Sequence, residues 1–265
     1  MKFCIFAIVM QEKTRCVILR TVKYGDTTLI IDMLTREHGR MSVAWRQPRS
    51  GKGKVRKQYF QPLSILEIDY ECRPSASLPM LKDVRLAEPY VSIPFNPVKL
   101  SIAFFIAEFL CMSTLDEQSD AALYDFVEKS LVWLDATENA SANFHLMFMM
   151  RISWFLGFYP DLESYTPSSF FDMRAGEFVD HAPLHKDFLQ PVEASRIALL
   201  MRMSPYNMHL FRFSHIERNH IVELLLHFYS LHIPGFREMK SWDVLREIYS
   251  PSPQSSPRGG VSSMY

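Results

Sequence analysis

CVILRTVKYGDTTLIIDMLTREHGRMSVAW, residues 16–45, is the stretch whose reading decides the fold. Valine, isoleucine, leucine, threonine and tryptophan crowd 16–22, 27–35 and 40–45, lengths that suit strands better than helices. Gly25-Asp26 and His38-Gly39 supply the turns between them. Two similar runs, LSILEIDY at 63–70 and LKDVRLAEPY at 81–90, bring the strands to five, with Pro74 and Pro79 bracketing the last connection. Five short strands in succession predict a small barrel. On the third strand, alternation puts Arg40, Ser42, Ala44 and Arg46 on one face and Met41, Val43 and Trp45 on the other. The arginines should face outward and Trp45 should enter the core.

The same region carries a concentrated charge. Arg36, Arg40, Arg46, Arg49, Lys52, Lys54, Arg56 and Lys57 stand against a single acid, Glu37, in a chain with 29 basic and 29 acidic residues. From Pro74 onward the balance reverses, to 15 basic and 22 acidic. Segregation of this kind implies a polyanionic partner for one end of the molecule, and a phosphate backbone is the commonest polyanion in a cell. Arg36 and Arg40 flank a turn from which each guanidinium reaches phosphate bidentately, whereas Lys52, Lys54 and Lys57 accompany Gly51 and Gly53 on a long adaptable loop. Tyr24, Trp45, Tyr59 and Phe60 are the aromatic residues close to this charge.

After Tyr90 the period becomes helical. Asn96 reads as an N-cap with Pro97 in the first turn, and further helices are expected at 119–136, 141–158, 191–203, 214–231 and 241–249. FDMRAGEFV interrupts them with a β-hairpin turning at Arg174-Ala175-Gly176. The fold class is therefore α+β with two domains. A barrel occupies 11–90, a mostly α-helical domain occupies 96–249 with its hairpin near 170–180, and a disordered tail covers 250–265.

Composition excludes several classes. With 265 residues and 48% apolar content the chain has enough core for one large or two modest domains. Cys4, Cys16, Cys72 and Cys111 have no paired spacing, which argues against a zinc ribbon or a secreted disulfide framework and for a reducing cytoplasm. The longest apolar run, Phe144 to Tyr159, is interrupted by Arg151 and falls short of the roughly 18 residues a bilayer requires, so no membrane association is expected. MKFCIFAIVM at the start lacks a small-residue cleavage site and is not read as a signal peptide. No phosphate loop, nucleophile elbow, HExxH or dinucleotide fingerprint is present, so catalysis has no evident home.

Taken in order, these segments resemble the bacterial recombination mediator family RecO. The similarity rests on Leu19-Arg20, Tyr24-Gly25-Asp26, Leu34 to Arg40, Gln61-Pro62-Leu63, Leu156-Gly157-Phe158, Pro160-Asp161-Leu162, Phe171-Asp172 with Ala175-Gly176, and Gly235 with Lys240-Ser241 and Val244-Leu245. It extends over about residues 13 to 247. The resemblance implies an N-terminal OB-fold β-barrel, a helical C-terminal domain and a non-enzymatic role in homologous recombination and DNA repair in the cytoplasm, at the nucleoid. Members bind single- and double-stranded DNA, anneal complementary strands, contact the C-terminal tail of the single-stranded DNA-binding protein (SSB), and act with RecR in loading recombinase. Zinc-binding members carry cysteines where this chain has Glu163-Ser164-Tyr165 and Asp180-His181-Ala182-Pro183, so no cofactor is expected. Packing of Tyr165, Phe170, Phe171 and Phe178 must hold the hairpin instead.

An acidic tail ending in an apolar residue requires an apolar pocket edged by cations. Arg151 with Met147, Trp154 and Phe155, or Arg212 and Arg218 beside Phe211 and Phe213, offer such an edge. Two rival readings remain. His220, Glu223 and His227 share one helix face, with His215 and His232 outside that face, and suit a metal-dependent nucleic-acid hydrolase. An OB-fold RNA-binding protein would use the same barrel. Glu67, Asp69 and Glu71 alternate on the fourth strand and read as a solvated face or a guard against edge pairing.

Overall fold

A computed structural model describes residues 10–47, 57–73, 77–115, 119–138 and 141–248. Its first half is a closed barrel of β1 (Met10–Tyr24), β2 (Thr28–Thr35), β3 (Gly39–Arg46), β4 (Ile65–Cys72) and β5 (Met80–Glu88). The strand order is β1-β2-β3-β5-β4, and β4 returns to β1. This is the five-stranded Greek-key arrangement of an OB fold. Closure depends on the length of β1, whose residues 10–17 pair with β4 while 16–24 pair with β2.

The strand begins six residues earlier than its apolar run, because Gln11 to Arg15 join the sheet through charge. Lys13 lies opposite Asp69 and bridges it at 3.3 Å, and Arg15 lies opposite Glu67 at 3.8 Å. Glu71 is buried between Arg73 and Lys82. The acidic alternation on β4, which the sequence suggested as a solvated face or a guard against edge pairing, is matched to basic neighbours, with Glu67 and Asp69 still partly exposed and Glu71 buried.

Both faces of the apolar run in β1 are buried. Cys16 and Ile18 point into the barrel with Leu29, Ile31, Met33, Val43 and Trp45, while Val17 and Leu19 join Leu34, Leu63 and Ile65 in the core of the helical half. Each such fully buried side chain contributes about 1.5–3 kcal/mol before entropic costs, so this apolar seam outweighs the ion pairs along its rim. Leu63 adopts φ 64°, a left-handed conformation costing a β-carbon about 1–2 kcal/mol. Its amide donates to the Ile18 carbonyl at 2.6 Å and its carbonyl accepts from the Tyr90 hydroxyl at 2.6 Å, which fixes that conformation.

The helical half comprises α1 (Pro97–Ser113), α2 (Ala121–Ala136), α3 (Phe144–Phe155), α4 (Pro191–Met201), α5 (His215–His232) and α6 (Lys240–Ile248). Asn96 caps α1 by accepting from the amides of Val98 and Lys99, and Pro97 occupies its first turn. Ile102, Phe105, Ile106, Phe109 and Leu110 are fully enclosed, which makes α1 the central helix of the molecule. A clamp joins its approach to α2: Asp135 accepts from the amides of Val91, Ser92 and Ile93, each at 2.8 Å. Lys99 donates to the Asp135 and Thr137 carbonyls at the end of α2.

α3 stops short of the expected 158, with Gly157 at φ 82° accepting the reversal of the chain. The hairpin is β6 (Phe170–Asp172) with β7 (Glu177–Val179), and a third strand, β8 (Phe188–Leu189), pairs on the other edge of β6. Asp172 accepts from the Arg174 and Ala175 amides to form the turn. Aromatic contacts hold it: Phe178 lies 4.9 Å from Tyr165 and 5.0 Å from Phe171, and Phe171 lies 5.6 Å from Phe228 of α5.

Candidate nucleic-acid interface

The basic run of the sequence divides in space. Arg36 follows β2 and turns onto α2, where it pairs with Asp125 at 2.8 Å. That hydrogen bond holds the Asp125 carboxyl below its ordinary pKa. Arg40 faces outward from the barrel as alternation requires, but outward here means beneath the end of α1. Its side chain is only 10% exposed and donates to the Cys111 carbonyl at 3.3 Å and the Thr114 hydroxyl at 3.4 Å. The helical half covers Arg40, whereas Arg36 remains 45% exposed while engaged by Asp125. Arg15, absent from the sequence-based set, adds a forked contact to Glu128 and a bond to Glu88 at 2.8 Å.

Arg46 and Lys57 have the opposite surroundings. Both are exposed, at the opposite end of β3 and just before β4, and they bracket the linker that carries most of the remaining charge. Arg49, Lys52, Lys54 and Arg56 lie outside the described residues. The register sets Arg46 opposite Thr28, and Thr28 opposite Tyr24, so the β1–β2 turn shares this end of the barrel. Tyr24 is 68% exposed there, beside the exposed Lys23. A groove of about 450 Å³ runs past Lys23, Thr21, Leu29, Lys57 and Phe60. Trp45 and Phe60 pack together with ring centroids 5.2 Å apart and plug the barrel below it, which leaves Tyr24 exposed and Tyr59 half-buried at the surface. Lys23 escaped the sequence reading because it lies apart from the basic run. Its place beside Tyr24 at a strand end was the available signal.

Asp32, 8% exposed, sits between the two ends. Burial raises its pKa, but Ser42, Arg20 and Arg40 overcome this and leave the carboxyl below its ordinary range. One acid is shared by two arginines, so the cluster keeps a positive charge, expressed at Arg20, whose side chain is 60% exposed.

The partner-binding candidates also separate. Arg151, Trp154, Met147 and Phe155 line a groove of about 400 Å³ with Phe126, Ser204 and Pro205. Trp154 is 64% exposed and Arg151 donates to the Met203 carbonyl at 3.2 Å. Arg212 and Arg218 do not line this groove, and Arg218 folds back to donate to the Phe213 carbonyl.

The histidine stripe is divided among separate partners. His220 meets Glu193 at 2.7 Å, His227 meets Asp187 at 3.2 Å, and His232 stacks on Phe158 while bonding the Met173 carbonyl. His215 and His232 are the first and last residues of α5. Among the described residues no set of three or more His, Cys, Asp or Glu side chains is arranged to hold a metal ion.

Among those residues no helix is long and apolar enough to cross a membrane. Residues 10–90 match the family model described as Recombination protein O N terminal, and residues 94–243 match Recombination protein O C terminal. The chain is 44% identical over 241 residues to the DNA repair protein RecO of Phocaeicola vulgatus, covering 91% of this chain and 100% of that one. It is 40% identical to the protein of the same name from Bacteroides fragilis, with the same coverage. It is also 35% identical over 243 residues to the one from Flavobacterium psychrophilum, covering 91% of this chain and 100% of that protein. Likeness of this extent through both the barrel and the helical half means that the chain belongs to the RecO family of DNA repair proteins.

Proposed function

We propose that this protein is a recombination mediator that binds single- and double-stranded DNA at the open end of its barrel, anneals complementary strands, and works with RecR to load recombinase onto SSB-coated DNA. It does so in the cytoplasm, at the nucleoid, without catalysing a reaction. The observation that carries this reading is the exposed set Lys23 and Tyr24 at the end of β1 with Arg46 and Lys57 at the two roots of the basic linker. Cations there hold phosphates without reading sequence, and the tyrosine gives a base a surface to stack on. Screening of phosphate charge by this surface and the linker lets two strands approach, which is the physical requirement for annealing.

The groove at Arg151 and Trp154 suits the SSB tail, since it pairs an apolar floor with a cationic edge. Annealing of complementary oligonucleotides, with and without SSB, tests the reading. The protein should accelerate pairing of naked strands, Lys23→Glu with Lys57→Glu should remove that acceleration, and Trp154→Ala should abolish pull-down by the tail peptide alone. Equal annealing by the double charge reversal would overturn the barrel-end assignment. Tighter binding of RNA than of DNA of equal length would favour the RNA-binding alternative.

A further inference from the structure

A second, larger groove begins where the barrel-end groove stops. The two share Pro62, and the second, about 680 Å³, passes between β1, the exposed flank of α1 and the segment entering α6. Its floor is apolar, with Phe104 49% exposed and Leu115 50% exposed. Its rim is cationic. Arg237 is exposed and makes no ion pair among the described residues, and Arg20 carries the surplus charge of the Asp32 cluster. The acid on its lining, Glu108, has both oxygens engaged by the Lys240 and Ser241 amides at the start of α6. The Ser241 hydroxyl, which makes no hydrogen bond among the described residues, also lines the groove.

We propose that a single nucleic-acid strand held at the barrel end continues across Pro62 into this groove, with Arg20 and Arg237 on its phosphates and Phe104 stacked against a base. The inference rests on the nucleic-acid reading of the barrel end and extends it onto the helical half. A duplex turns its phosphates outward and keeps its bases stacked on one another, so it has no use for an apolar floor, whereas a single strand does. Continuity with the barrel-end groove and the cationic rim favour a polynucleotide over a peptide. The groove therefore lengthens the bound strand and favours single strands over duplex.

The test is fluorescence anisotropy with oligothymidylates of about 6 and about 20 nucleotides, which bracket the span of one OB fold. The Phe104→Ala, Arg237→Glu double variant should bind the longer strand about 10-fold or more weakly while binding the shorter strand and melting as wild type does, since both residues are surface-exposed. As an independent readout, 5-iodouracil within the longer strand should cross-link to Phe104. Unchanged affinity for the longer strand, or an equal loss for both lengths, would overturn the strand path and leave the barrel-end site standing. Failure of the wild-type protein to bind either strand would remove the barrel-end reading as well. Loss of an acidic peptide from the variant with no loss of the longer strand would reassign the groove to a protein and overturn the proposal.

Discussion

Arg40 and Arg46 lie on the same strand and the same face of the barrel, yet only 10% of the Arg40 side chain is exposed while Arg46 projects into solvent. The difference comes from what stands above each end of the strand. At the β2–β3 turn, the end of α1 closes over the barrel and supplies the Cys111 carbonyl and the Thr114 hydroxyl. At the β1–β2 turn none of the α-helices among the described residues contributes such a bond, and Lys23, Tyr24, Arg46 and Lys57 are exposed. One end of the basic run fastens the two halves of the molecule together, and the other is the end to which we assign the polyanion.

That contrast can be broken or sharpened by substitution. The largest effect is expected at the open end: Lys23→Glu, Arg46→Glu and Lys57→Glu together should weaken single-strand affinity by about 100-fold or more at low salt. The same change should make the log-log salt dependence shallower by roughly 2, as expected for three lost phosphate contacts, with no change in melting temperature. Binding titrations at several salt concentrations check both. Arg40→Ala should do the reverse, costing about 2–3 kcal/mol in denaturant unfolding through an under-compensated Asp32 while leaving the DNA affinity of the folded protein intact. If it weakens binding without destabilising, the division drawn here between the two ends is wrong.

Asp135→Asn should cost about 1–3 kcal/mol, because three amides and the neighbouring Lys99 depend on that turn of α2. Burial raises the Asp135 pKa, but bonds from Val91, Ile93 and Ser92 overcome it and hold the carboxyl below its ordinary range. A folded-state pKa that is depressed gives stability that is complete above the unfolded carboxylate pKa of about 4 and is lost as pH falls through the folded value. The variant should therefore flatten the acid limb of a stability profile.

His145, on α3, is a second source of acid lability in the helical half. Burial lowers its pKa from near 6.5 to about 3. Its contribution is complete above 6.5 and declines toward pH 3, at up to about 1.4 kcal/mol per pH unit. His145→Gln should reduce that slope in thermal melts between those limits. The smallest effect is expected from Arg36→Ala, whose half-exposed pair with Asp125 should leave DNA affinity unchanged and shift melting only slightly. A clear loss of affinity would return Arg36 to the DNA site.

Features set by neighbours in sequence were legible. The Asn96 cap, the Pro97 start and the inward position of Trp45 follow from short-range periodicity and turn chemistry, and the aromatic latch of the hairpin from the resemblance, in which it stands where other members carry cysteines. The early start of β1 was not legible, because Gln11 to Arg15 resemble surface until Glu67 and Asp69 of β4 are set opposite them. β8 was missed for a related reason: a two-residue strand has no period and exists only because β6 offers it an edge.

The sequence by itself determined a barrel followed by helices, the family, and a positive charge concentrated in the first half. The elements and the charge are properties of composition and of spacing along the chain, and the family rests on the likeness of its ordered motifs to known members. Only the tertiary structure decided which cations remain available, because a charge is neutralised by whatever lies within a few ångströms of it. Asp125, Glu128 and the end of α1 are about 70 to 110 residues away in sequence from the arginines they hold.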